Sequence, residues 1–431
     1  MKSEAPSATV VLARAAKPAR RGWLENLQSV NYAVLLAISF VVFQMSAMYR
    51  TSQGFDAETG DPFRRIATLT MFVLVCAVYA LQPRWQLSRI LPASLAVFLG
   101  WVALSVTWAI NPDISLRRAA FSIMIIIAQF ICIRQIGSGR AYRVMMAVLC
   151  AVVAADLAAV AYSPQAIHRA SEYGSSLAGD WRGLQSHKNS AGAIAGTLLI
   201  VALGAAIHRR SLHYLAWTGA ALALLIGSMS KTSIILAPVA IAVGLAVANA
   251  PPQSLTRRVG AIAALSLVAG AVVLLVFSDE RVWVEFFDPD NFTGRMEVWH
   301  LLVRYSAEHI WLGSGYGSFW QVGSDSPVAG LAEGWAGSAS SGHNGYLDLL
   351  AETGIVGLAL GLYAFGVAVV VAFLRNSHLS KEMKYVAVSL LSYFMLRNLL
   401  ETGILVDHQT PIWVMAAAIC ANEAGQAAQQ E

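Results

Sequence analysis

The sequence predicts an all-α polytopic membrane protein, and three observations predict it. Only 13% of the 431 residues are charged while 57% are hydrophobic, about half the charge of a soluble globular domain, and mean hydropathy is +0.58. The apolar residues fall into runs of about 20, the length that crosses a hydrocarbon core, instead of alternating with charge around separate cores. The basic residues gather in alternate connections between those runs, the pattern of a chain oriented by its positive loops. An ordinary soluble enzyme is excluded. Cys76, Cys132, Cys150 and Cys420 each lie within an apolar run and lack CxxC spacing, so neither a disulfide framework nor a zinc site is indicated. The net charge of +5 comes from scattered residues and forms no stripe suited to nucleic acid.

Taken in order, the runs are 31–49, 65–82, 91–110, 119–136, 141–162, 190–207, 212–229, 233–249, 259–278, 353–374, 384–405 and a shorter one at 410–424, about twelve transmembrane helices. Arg14, Lys17, Arg20 and Arg21 precede the first. That run is too long for a signal peptide and lacks a small-residue cleavage site, so it reads as a retained helix with its amino end in the cytoplasm. The chain divides into a cytoplasmic tail 1–30, one transmembrane domain 31–424 and a second tail 425–431. With this orientation the inner connections and tails carry about 17 basic against about 5 acidic residues, and the outer ones about 12 against about 19. The inner loops are each about a dozen residues or fewer, too short for a nucleotide-binding domain. The two long polar insertions, 163–189 and 279–352, face outward, and chemistry is expected there.

The first insertion ends in Asp180-Trp181-Arg182-Gly183-Leu184-Gln185-Ser186-His187-Lys188-Asn189-Ser190, directly before a span. Two readings stand. Trp181, Arg182 and Lys188 can form an interfacial belt at headgroup level. Alternatively Arg182 supplies a planar fork and Lys188 a point charge to a pyrophosphate, with Asn189 or Ser190 capping a helix whose amino end also favours an anion. In the second insertion, Thr293-Gly294-Arg295-Met296-Glu297-Val298-Trp299 continues to Ile310 with apolar residues at Met296, Trp299, Leu302, Val303 and Ile310, an amphipathic helix expected to lie at the interface. Arg295 there can simply pair with Glu297. Gly313-Ser314-Gly315-Tyr316-Gly317-Ser318-Phe319 lacks the strand and lysine of a phosphate loop and reads as a tight turn.

The insertion closes with His343-Asn344-Gly345 and runs into the tenth span. His343 sits at a helix amino end, where the dipole disfavours imidazolium, and Asn344, Asp348 and Glu352 follow at i, i+4 and i+8 on one face. Lys231 in a short outer turn and Arg397 one helical turn before Glu401 belong to the same outer half. Arg397 and Glu401 read as an intrahelical pair. Asp156, an intramembrane carboxylate, needs a partner, which Arg397 or Lys231 could provide. His187, His300, His309, His343 and His408 are all outward, but none shows metal-ligand spacing. No metal or cofactor is expected.

Several outward cations, one histidine and a membrane interior suit glycosyl transfer from a polyprenyl diphosphate, whose leaving group develops charge that Arg and Lys stabilise while the His deprotonates or orients an acceptor hydroxyl. At these residues the sequence resembles the O-antigen ligase and Wzy-type polymerase superfamily of bacterial polysaccharide enzymes. Three stretches carry the likeness: Trp181-Arg182-Gly183 to Asn189; Gly294-Arg295-x-x-x-Trp299 leading to Gly313-x-Gly315-Tyr316-Gly317-x-Phe319; and His343-Asn344, nine residues, then Gly354-x-x-Gly357. Leu360 departs from the Gly, Thr or Trp usual there. The resemblance spans roughly residues 175 to 410. It implies a multispanning, GT-C-like glycosyltransferase fold with a large periplasmic loop and metal-independent, inverting transfer from an undecaprenyl-diphosphate-linked glycan at the periplasmic face of the bacterial inner membrane. By the same likeness, Arg182 and Arg295 bind the diphosphate and His343 acts at the acceptor. Lys188, Asn189, Lys231, Trp299, Asn344, Asp348 and Arg397 are the expected substrate-binding residues. Asp407 lies roughly where the family often has an acidic residue.

Ser186-His187-Lys188-Asn189 followed by Ser190-Ala191-Gly192 looks more like the exopolysaccharide polymerase branch than the ligases. The acceptor is then a second lipid-linked glycan. In a ligase it would be lipid A-core, and in an oligosaccharyltransferase a protein hydroxyl. A chain-length regulator, a flippase and membrane lipid are the expected partners. A transporter would instead place charge near the midplane on broken helices.

Overall fold

The computed structural model describes residues 30–41, 62–81, 90–170, 177–251, 295–323, 326–328, 339–376, 378–405 and 409–427. The expected cytoplasmic tail up to residue 29, the ninth run at 259–278, Thr293, Gly294, Asp407 and His408 lie outside them. Eleven of the twelve apolar runs fall on helices. These are α1 (Val30–Val41), α2 (Pro62–Ala80), α3 (Ala93–Ser105), α4 (Pro112–Ile136), α5 (Ser138–Tyr162), α6 (Lys188–Arg209), α7 (Leu212–Gly227) and α8 (Lys231–Asn249). After α9 (Arg295–Glu308) come α10 (Gly345–Leu362), which passes through a wide turn at Tyr363–Val367 into α11 (Ala368–Arg375), then α12 (Lys381–Arg397) and α13 (Thr410–Ala427). Among the described residues, five helices are long and apolar enough to cross a membrane: α4, α5, α6, α8 and the continuous stretch Gly345–Arg375. Of the rest, α3 (Ala93–Ser105), α7 (Leu212–Gly227) and α12 (Lys381–Arg397) are shorter than the runs at 91–110, 212–229 and 384–405 suggest. Among the described residues the extended structure is a single antiparallel bridge, Ile167 with Trp181.

Local signals set the helix ends. Asn111 accepts the Ile114 N–H, Pro112 fills the next position, and α4 stops at Gly137 with φ +78°. Ser380 caps α12 through the Met383 N–H. The interior is apolar and aromatic. Tyr32, Phe98, Phe130, Tyr142, Phe365, Tyr385, Tyr393, Phe394 and Trp413 are fully buried, whereas Ile66, Leu69, Val97, Leu116, Leu215, Ile226 and Val367 point outward. An apolar outer belt around an apolar core is what a lipid solvent permits.

The connections expected on one side of the membrane meet one another. Ile110 and Asn111 bond to Ser314 and Ser318, and Ser122 to Tyr316 and Leu405. At the opposite end Arg209 pairs with Glu382 at 2.9 Å and stacks over Tyr142. α9 differs from the helix expected to lie flat on an interface. Its buried face is Val298, Leu301, Leu302 and Tyr305, which packs with Phe319, Trp320, Val328, Ala339 and Ala351 into a small second core. Val303 is 54% exposed, so the apolar positions read from the sequence overlap this face only in part.

Two glycine clusters position that second core. Gly313, Gly315 and Gly317 have φ of +64°, +84° and +64°, a left-handed path that suits glycine and makes the stretch the tight turn expected. Arg118 from α4 holds it by donating to the carbonyls of Gly317 and Trp320 at 2.6 and 2.7 Å. Gly354 then breaks α10 at φ +69° and ψ −175°. The polar groups freed by the break are taken up by neighbours: Ile355 donates to the Ile310 carbonyl at 2.7 Å, Ser314 to that of Ala351, and the Trp101 indole to that of Thr353. Gly354-x-x-Gly357 is thus a packing requirement. A Cβ at Gly354 would lie 2.1 Å from the Trp311 carbonyl oxygen and one at Gly357 2.0 Å from the Thr353 hydroxyl.

Candidate active site

Four helix ends converge on one carboxylate. Glu401 lies in the loop after α12, with its side chain 10% exposed. Its Oε1 accepts from Asn189 Nδ2 at 2.8 Å, in the first turn of α6, and from Arg295 Nη2 at 3.0 Å, the first residue of α9. Its Oε2 meets His343 Nδ1 at 3.1 Å, just before α10. Arg295 Nη1 also donates to the Leu400 carbonyl at 2.8 Å. From the end of α12, buried Arg397 donates through Nη2 to the Asn189 carbonyl at 3.1 Å, and its Nε is buried without a partner among the described residues. The Ser230 hydroxyl, beside Lys231, meets Asn189 Oδ1 at 3.4 Å. Residues from distant parts of the chain, on connections expected to face outward or, for Arg397, at the outer end of a span, are thereby brought within hydrogen-bond reach of one another.

The charge balance explains why a carboxylate can sit there. Burial alone would push the Glu401 carboxyl up; the His343 hydrogen bond and the Arg295 and Arg397 charges outweigh it and hold the group well below the usual carboxylate range. A carboxylate facing Nδ1 places the ring proton on that nitrogen, which leaves the basic lone pair of the neutral ring on Nε2. His343 itself has φ +49°, uncommon for a residue with a Cβ.

The α6 end is built differently from the expected anion site. His187, not Asn189 or Ser190, caps it: Nδ1 accepts the Asn189 N–H at 3.2 Å. His168 Nε2 accepts the Lys188 N–H at 3.2 Å, and the two rings pack edge to face with centroids 5.3 Å apart. Two of the donors an anion would use are already engaged. Burial, followed by the charge of His168, pushes His187 down to about 4, against the pull of Glu401; Lys188 and His343 add to the lowering. Lys188 Nζ pairs with Asp180 at 2.6 Å. Arg182 Nε donates to the Gln165 carbonyl at 2.8 Å, on a loop fixed by the Trp181 N–H to Gly227. The contacts centred on Glu401 do not include Arg182, and Lys231 is exposed at the start of α8.

Several residues singled out in the sequence support the site from behind. Asn344 caps α10 through the Tyr346 and Leu347 N–H groups and donates to the Leu399 carbonyl. The Trp299 indole donates to the Gly342 carbonyl at 2.7 Å. Asp348, 5% exposed, accepts from Trp320 Nε1 and the Gly342 N–H, both at 2.9 Å, and from the Thr402 hydroxyl. Two pairings expected from sequence are corrected. Glu401 pairs with Arg295 and His343 instead of Arg397, because α12 ends at Arg397 and the chain turns before Glu401. Asp156 is answered by the Leu184 N–H at 2.8 Å and the Gln185 amide at 3.2 Å, which lie directly over it, and not by Arg397 or Lys231. The centrality of Glu401 was missed. Its signal in the sequence is an acidic residue near the end of the 384–405 run in a charge-poor chain.

Residues 218–362 match the O-antigen ligase family model. That stretch holds Lys231, Arg295, Trp299, His343, Asn344 and Asp348, begins after the 181–189 motif and ends before Arg397 and Glu401. Over this segment the likeness to the O-antigen ligase and Wzy-type superfamily holds. No curated protein matches the chain.

Proposed function

We propose that the protein is a membrane glycosyltransferase of the O-antigen ligase and polymerase kind, extending an undecaprenyl-diphosphate-linked glycan at the periplasmic face. The observation that carries the reading is the Asn189, Arg295, His343 and Glu401 cluster, which sets an oriented imidazole beside a guanidinium at one end of an apolar bundle. In the proposed step an acceptor hydroxyl oxygen attacks the anomeric carbon of the donor sugar and its proton passes to His343 Nε2. The bond from that carbon to the diphosphate oxygen breaks with inversion, and the leaving diphosphate takes the electron pair. Arg295, with Arg182 and Lys188, answers the charge that grows there. Glu401 keeps the ring proton on Nδ1, as the carboxylate does in other oriented histidines.

Two acceptors are in play. The Ser186 to Asn189 stretch favours a second lipid-linked glycan, and so a polymerase; the description of the matched family, O-antigen ligase, favours lipid A-core. Purified protein incubated with a lipid-diphosphate oligosaccharide alone is expected to yield longer lipid-linked chains. Product formed only when lipid A-core is added selects the ligase. His343→Ala and Arg182→Ala are each expected to abolish product while the protein still inserts; unchanged yield and length in both would overturn the enzyme reading.

A further inference from the structure

We propose that Asp348 is a positioning residue whose carboxylate locks His343 and Glu401 into one geometry, a role that rests on the reading of His343 as the base. The carboxylate ties together the two neighbours of the reacting pair. It accepts the N–H of Gly342, the residue before His343, at 2.9 and 3.1 Å, and the hydroxyl of Thr402, the residue after Glu401. A third donor, Trp320 Nε1 at 2.9 Å, comes from the segment that follows the Gly-rich turn. Asp348 is buried, and its oxygens face protein donors. Acting on substrate directly would require breaking those charge-assisted bonds.

The need for such a lock is visible in the backbone. His343 occupies the left-handed region at φ +49°, a conformation that is strained for a residue with a Cβ and persists only where the surroundings impose it. On its amino side Asp348 holds Gly342, whose carbonyl is also held by the Trp299 indole. On its carboxyl side Asn344 caps α10, and the Gly345 N–H donates to the Asn398 carbonyl at 2.9 Å. The same Asn398 accepts the Gly403 and Ile404 N–H groups through Oδ1 at 2.8 and 2.9 Å, so the Glu401 loop is fixed from both flanks as well. With Asp348 removed, the tie between the two loops is lost and the His343 to Glu401 bond loosens.

Two readouts separate this role from substrate contact and from the enzyme reading itself. The first is the rate of carbethoxylation by diethyl pyrocarbonate, mapped to each histidine by mass spectrometry on the full chain in detergent. Asp348→Asn and Thr402→Val are each expected to raise the rate at His343 severalfold and leave exposed His213 and His300 unchanged, with Thr402→Ser returning the wild-type rate. A rate at His343 unchanged in both Asp348→Asn and Thr402→Val overturns the proposal, whether or not the protein transfers sugar. The second is the kinetic split. In the transfer assay kcat is expected to fall roughly 10²-fold, as for a misplacement of about 1 Å, with KM unaltered. A raised KM at unaltered kcat would make Asp348 a substrate contact and overturn the positioning role. Wild-type inactivity with every donor, alongside the expected carbethoxylation pattern, would count against the proposed function while leaving the lock intact.

Discussion

Glu401→Gln tests the centre of the site with the smallest change of shape. Glu401 Oε1 accepts two bonds, from Asn189 and Arg295, and Oε2 meets one, from His343. The amide oxygen of Gln is best placed where two donors converge, which turns its NH₂ toward His343 Nδ1. Two donors then face each other unless the ring moves its proton to Nε2, the nitrogen proposed to accept one. Loss of charge weakens the two surviving bonds by about 1 kcal/mol each, and the ion pair with Arg295 is broken from one side, so about 3 kcal/mol of stability should be lost. The rate should fall far more, on the order of 10³- to 10⁴-fold, the scale of a histidine held in the wrong tautomer. The assay pairs thermal unfolding in detergent with single-turnover extension of a lipid-diphosphate oligosaccharide. Acid should not reproduce the variant near pH 4, because the carboxyl titrates well below its ordinary range. Its contribution to stability is complete above the ordinary carboxylate pKa and declines as pH falls from there toward the lowered folded value. A Gln variant within tenfold of the wild-type rate and equally stable would refute the argument.

Two further tests address the scaffold. Gly354→Ala places a Cβ 2.1 Å from the Trp311 carbonyl oxygen at φ +69°, against backbone that cannot swing aside, so the yield of monodisperse protein should collapse. Gly219→Ala, with nothing within 4 Å of the new Cβ, should be neutral or slightly stabilising; equal yields would argue against the break in α10. His187, lowered to about 4, caps α6 as a neutral ring, so its contribution is complete above about pH 6.5 and declines as pH falls from there toward about 4. His187→Asn keeps a cap that does not titrate. Thermal midpoints of the two proteins should therefore separate between pH 6.5 and 4 with the wild type losing more; parallel curves would refute the cap.

What the sequence made legible and what it hid divide along a physical line. The helices were readable because burial in lipid demands long apolar runs, and His343, Arg295 and Asn189 were readable because charge and polarity are costly beside those runs. The glycine motif was recognisable but its cause was not: the clash of Gly354 with Trp311 is a tertiary fact between residues far apart in the chain. Glu401 was misread for a similar reason. A spacing of i, i+4 implies a pair only if the helix continues, and α12 stops at Arg397. The capping of α6 by His187 was hidden because Asn and Ser, the stronger cap formers, follow it directly, and the contribution of His168 depends on a loop folding back. The apolar face of α9 was only partly legible, since its partner core is assembled from the later turn and from α10.

The pairing of the cations bears on how the proposed transfer would be driven. Arg295 and Lys188 are not bare charges; they lie 3.0 Å from Glu401 and 2.6 Å from Asp180. A solvent-exposed, unpaired guanidinium would bind donor, transition state and released diphosphate with similar strength, which lowers KM and slows release without lowering the barrier. An arginine already shared with a carboxylate interacts weakly with the ground-state diphosphate. It responds most where charge concentrates on the leaving oxygen, so the attraction grows along the reaction coordinate. The same Glu401 that shares Arg295 also bonds His343, so in the proposed transfer proton uptake at Nε2 and charge growth at the diphosphate would be felt by one carboxylate. In the proposed transfer, a positive imidazolium formed on one side of Glu401 would draw it from Arg295 on the other and free the guanidinium for the leaving group at the moment that group becomes most negative.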